Sequence, residues 1–112
     1  MRVRSQYNLG PNPPLTKVIA IGVWDMVATA SVAIAHGLTL SRIHSIYAEI
    51  INDGSGGLYS IETSDGLVNQ DGKIAVGAAN VVLTRKLGGY FDDVDFDDGF
   101  MNRGYITIQY GS

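Results

Sequence analysis

The sequence predicts an all-β fold: a single antiparallel β-sandwich or small barrel, jelly-roll-like, preceded by an extended N-terminal arm. Three observations predict it. Apolar residues recur with a period of two in short runs, and those runs are separated by Gly-, Asn- and Asp-containing turn signals. No stretch shows the alternation of helix and strand that marks a nucleotide-binding α/β fold. At 112 residues the chain has room for one hydrophobic core and no second folded unit.

Taken in order, residues 1–16 carry all the prolines, Pro11, Pro13 and Pro14, which suit neither helix interiors nor central strands. This stretch reads as an arm, either free or lying along a neighbouring subunit, and residues 17–112 as the sandwich domain. Val18 to Trp24 is short, β-branched and apolar on both faces, which predicts a strand covered on both sides. Ala30 to Ala35 places Val32 and Ile34 on one face and the small residues Ser31, Ala33 and Ala35 on the other. An Ala-rich helix over Met26 to Ala35, capped by Asp25, is the competing reading.

Ile43 to Asn52 is the clearest strand. It has His44, Ile46, Ala48 and Ile50 on the face assigned to the core, and Ile43, Ser45, Tyr47, Glu49 and Ile51 on the other. Turn chemistry follows at Asn52 to Gly57, Ser64 to Gly66 and Gln70 to Gly72, with short strands between at Leu58 to Glu62 and Lys73 to Val76. Asn80 to Arg85 and Gly104 to Tyr110 complete the strands, the last in strict alternation.

Charged residues make up 17% of the chain against roughly 25% in an ordinary soluble domain, so some apolar surface is expected to lie against another subunit. A compact β domain with a Gly-, Ser- and Thr-rich exterior is the other explanation. The expected interface residues are Ile43, Tyr47 and Ile51 together with Ser31, Ala33 and Ala35. A net charge of −3 with scattered basic residues argues against a nucleic-acid partner. The absence of cysteine removes disulfides, thiolate zinc sites and thiol catalysis. Tyr7 to Pro14 occupies the place of a signal-peptide apolar region, and the run from Val18 ends at Asp25, so neither secretion nor a membrane span is expected.

No catalytic set is legible, no cofactor is expected and no specific metal. The acidic run Asp92 to Asp98 places carboxylates at positions one, three and five of a calcium loop counted from Asp93, but Asp98 takes the glycine position and Gly104 the glutamate position. An irregular calcium loop and a solvated loop kept extended by like charges are the two readings, the second preferred. His36 and His44 have no acid or second histidine at metal-ligand spacing, and no nucleophile elbow surrounds Ser41 or Ser45. Aromatic residues cluster between Gly88 and Tyr110; packing in the core or between subunits is the preferred reading of these rings, and a ligand surface of stacking rings and hydrogen-bonding side chains at Tyr90, Phe91, Asn102 and Arg103 is the alternative.

Two blocks, Trp24-Asp25-Met26 through Ala30 to Leu38, and Asn80 to Leu83 through Gly89-Tyr90-Phe91-Asp92 to Asn102 and Ile108, resemble small virion proteins of tailed bacteriophages, of head-fibre, decoration or tail-fibre type. The late segment is also similar to H-type lectin domains. The phage resemblance implies a homotrimeric β module made in the host cytoplasm and displayed on the virion, joined to other virion proteins through its N-terminal arm. The lectin similarity implies a host-surface glycan as ligand.

Overall fold

In the computed structural model, which describes residues 14–61 and 72–111, the chain is all-β, with two antiparallel sheets packed face to face as a small sandwich. The described residues form seven strands in the order β1 (Leu15–Ala20), β2 (Ser31–Ala35), β3 (Ile43–Ile51), β4 (Leu58–Ile61), β5 (Gly72–Val76), β6 (Asn80–Arg85) and β7 (Gly104–Tyr110). One sheet has the order β1-β7-β3-β4 and the other β2-β6-β5. Among the described residues there is no α-helix, only single 3-10 turns at Leu40–Arg42 and Val94–Phe96. Among the described residues no helix is long and apolar enough to cross a membrane.

The period-two pattern does what it predicts. Ala48, Ile50, Ile106 and Ile108 from the larger sheet meet Val81 and Leu83 from the smaller, and all are buried. Ile21, Trp24, Met26, Phe91 and Phe96 close one end of the same core from the loops. Each fully buried aromatic or aliphatic side chain contributes about 1.5–3 kcal/mol relative to solvent exposure, so these loop residues join the stability of the sheets.

Three local expectations change. First, β1 starts at Leu15 and ends at Ala20, so the last two residues assigned to the arm pair with Tyr110 and Gln109 of β7. Gly22 at φ +89° turns the chain away after it, a conformation that costs glycine little and a β-branched residue much. Residues 1–13 of the arm lie outside the described residues, as do the turns expected at Ser64 to Gly66 and at Gln70 and Asp71. Because β1 is an edge strand of an outer layer, only one of its faces is covered, and Val18 on the other is 60% exposed.

Second, Asp25 caps a single turn instead of a helix. Its Oδ1 accepts from the N–H groups of Val27 and Ala28, Thr29 N donates to Asp25 O, and β2 begins two residues later. Third, β3 and β7 shift register between Ile43 and Ser45, leaving His44 as the extra residue of a bulge. The shift turns Ile43 onto the core beside Ile46 and leaves His44 exposed, the reverse of the sides expected for both.

Candidate functional site

The loop end of the sandwich is organised around one buried cation. Arg103 precedes β7 and is 0% exposed. Its Nε donates to Trp24 O at 2.9 Å, Nη1 to Ile51 O at 2.8 Å and to Asp53 Oδ1 at 2.6 Å, and Nη2 to Asp98 O at 2.7 Å. The guanidinium also lies over the Phe96 ring, 6.0 Å from its centroid. A planar fork with five donors suits this task, since one side chain ties three separate loops to the end of β3. Arg103 was expected on a ligand surface; burial and these partners make it an internal tie instead.

Asp53 completes the tie. Its Oδ2 accepts from the N–H groups of Asp97 and Asp98 at 2.9 and 3.0 Å, while its own N–H donates to Asp95 O. Burial pushes the Asp53 carboxyl up, but the hydrogen bond and charge of Arg103 with the two backbone N–H groups outweigh it and hold the carboxyl below its ordinary range. Partial desolvation and then the charges of Asp53 and Asp25 push exposed Asp97 the other way, upward.

The acidic run is therefore folded, not extended. Asp92 Oδ2 accepts from Gly88 N, Asp93 Oδ1 from Asp95 N and Asp98 Oδ1 from Phe100 N, so these carboxylates cap their own backbone turns. Arg85 supports the run from the smaller sheet: Nη2 donates to Val27 O, Nε to Met26 O, and Nε lies 3.7 Å from Asp92 Oδ1. Among the described residues no group of three or more His, Cys, Asp or Glu has the geometry to hold a metal ion. His36, buried after β2, accepts from Leu38 N at Nδ1 and shares 2.9 Å with Gly77 O at Nε2, which assigns the ring proton to Nε2.

Of Tyr90, Phe91, Asn102 and Arg103, only Tyr90 is exposed. Phe91 is buried in the core, and Asn102 is half-buried with its Oδ1 accepting from Gly22 N at 2.8 Å. The exposed partner of Tyr90 is Tyr59 of β4, missed in the sequence because 31 positions separate the two. Their ring centroids are 5.6 Å apart, Tyr90 lies 5.6 Å from Phe96, and Phe96 packs edge-on against Phe91 at 5.0 Å. Two exposed rings thus rest on two buried ones.

The outer faces of the two sheets form the other surface of interest. Alternation in the larger sheet sends Val18, Ala20, Tyr47, Ile51, Leu58 and Tyr105 outward, with Glu49 the one charged residue among the described residues of its strands on that face. Tyr47 is 50% exposed and Ile51 is partly covered, as expected of a second face, while Ile43 has left it for the core. The smaller sheet presents Ser31, Ala33 and Ala35 outward and exposed, next to Val82 and Ala75, with Lys73 as its charge. Comparison with protein-family models, with curated proteins and with solved structures gave no match to this chain.

Proposed function

We propose that the chain is a non-enzymatic structural or adhesion protein of a virion, a homotrimeric β module displayed on a phage particle as a head-fibre, decoration or tail component. The observation that carries this reading is the pair of nearly uncharged outer sheet faces, one broad and aromatic around Tyr47 and Tyr105, the other flat and small around Ala33 and Ala35. Depletion of charge is what distinguishes the centre of a subunit interface from the rest of a surface. Most of the charged groups of the loop end are engaged with backbone groups: Arg103 on three carbonyls, Asp53 on two N–H groups, and Asp92, Asp93 and Asp98 on one each. Attachment to other virion proteins through the N-terminal arm belongs to the same proposal. Mass spectrometry of purified particles tests it: the chain is expected there at a copy number divisible by three, and its absence from particles overturns the reading.

A second reading, a carbohydrate-binding module, is favoured by the exposed Tyr59 and Tyr90 rings on their buried support, because such a pair can stack on the apolar face of a sugar. Binding of the isolated domain to a glycan panel, lost on Tyr90→Ala, would support it.

A further inference from the structure

Each sheet has two edge strands, and β1 and β2 lie on the same side of the sandwich. β4 contacts β5 on the other side, while Lys17 of β1 reaches across to the carbonyl of His36, just past β2, at 2.8 Å. Register shows which backbone groups those edges present. Ile21 N donates to Gly104 O, so in the β1–β7 ladder residues 15, 17 and 19 bond to β7 and Thr16, Val18 and Ala20 point their N–H and C=O groups away from the sheet. Arg85 N donates to Ala30 O and His36 N to Ala79 O, so Val32 and Ile34 bond to β6 and Ser31, Ala33 and Ala35 point theirs away. Each edge thus offers three residues with outward backbone donors and acceptors that have no partner among the described residues, and all six side chains are exposed.

Edges of this kind are ordinarily protected by charge, proline, a bulge or brevity. Neither outward row contains a charged residue or a proline. On the other side, β4 has only four residues.

We infer that the side bearing β1 and β2 is an assembly surface whose occupant is a second copy of this chain, with β2 of one copy pairing to β1 of the next. The rows match in length, both are uncharged, and an extended strand is the one partner that satisfies alternating donors and acceptors along an edge. The contact is heterologous, each copy giving one edge and receiving on the other, and a heterologous contact makes a ring, such as a trimer, where its rotation closes. The inference rests on the proposed oligomeric module and specifies how its subunits join.

Proline substitution isolates the edge, because the Val18 and Ala33 N–H groups take no part in the internal ladders. Ala33→Pro and Val18→Pro are expected to reduce the light-scattering mass to that of one chain, while Ser60→Pro, whose N–H points outward from β4 on the opposite side, leaves the assembly intact. Should either edge variant fail to fold, cysteine pairs decide on a chain that has no cysteine of its own. Val18→Cys mixed with Ser31→Cys, Ala33→Cys or Ala35→Cys is expected to form an intermolecular disulfide under mild oxidation, since such a bond needs Cα atoms within about 7 Å. An assembly that survives both prolines, or crosslinks in none of the mixtures, overturns the edge pairing while leaving the oligomer standing; a wild-type monomer overturns both.

Discussion

The loop end and the open side of this sandwich are built on opposite principles. At the loop end Arg103, Asp53, Asp92, Asp93 and Asp98 all hold partners, and the sheet there tolerates no change of shape: a Cβ on Gly104, at φ +154°, would collide with the Glu49 carbonyl. On the open side Thr16, Val18, Ala20, Ser31, Ala33 and Ala35 have no backbone partner among the described residues and keep their side chains exposed. The difference teaches where to look for function in a chain whose charged cluster is bound up in its own loops. The charged cluster that draws the eye is internal architecture, and the plain strands of Val, Ala, Ser and Thr are the surface on which the proposed assembly rests.

That contrast breaks most severely at Arg103. Arg103→Met is expected to cost about 3–5 kcal/mol in urea unfolding, because it leaves the Asp53 carboxylate without its cation and three carbonyls without a donor. Phe96→Leu removes part of the ring shared by Tyr59, Tyr90, Phe91 and the Arg103 guanidinium, for an expected loss of about 2 kcal/mol by the same measurement.

Acid should reach the loop end through Asp53. Its folded-state pKa is depressed, so its contribution is complete above the ordinary aspartate range, about pH 4, and is lost as pH falls through the lower folded value. Thermal unfolding between pH 6 and pH 2 should therefore show an acid limb below about pH 4 that is shallower in Asp53→Asn. Asp97 has the opposite sign: its raised pKa favours the folded state at low pH, and that contribution is lost as pH rises through its folded value. Asp97→Asn is expected to give a small gain in melting temperature at neutral pH and none in acid.

The smallest effect on subunit stability belongs to the open faces. Tyr47→Asp, on an exposed position of the larger sheet, should change the unfolding free energy of the isolated subunit by no more than about 0.5 kcal/mol. The same substitution should dissociate the assembly if that face is buried in it, because each copy would then bury an unpaired charge.

The sequence made the fold legible to within a residue or two at β2 through β7, because alternation in runs such as Gly104 to Tyr110 is a local property of a half-buried strand. β1 was misplaced because the apolar run Val18 to Trp24 hides a break at Gly22 and because Leu15 and Thr16 gain strand structure only from the length of β7. Ile43 was put on the wrong face because a bulge has no signature in side-chain polarity.

The candidate site was far less legible. Arg103 and Asp53 are 50 positions apart, and each sits among residues that read plausibly as surface, an Asn-Arg pair and an Asn-Asp-Gly turn. Their partnership exists only once β3 and β7 lie side by side. The small row Ser31, Ala33 and Ala35 was visible as a face, yet that its backbone also forms a free edge follows from strand order alone.

The central claim, that this is a subunit made to assemble through its uncharged sheets, is tested most directly by multi-angle light scattering on the purified chain through serial dilution. The account predicts the mass of three chains, persisting as the protein is diluted. A folded, stable species with the mass of one chain at every concentration would contradict it.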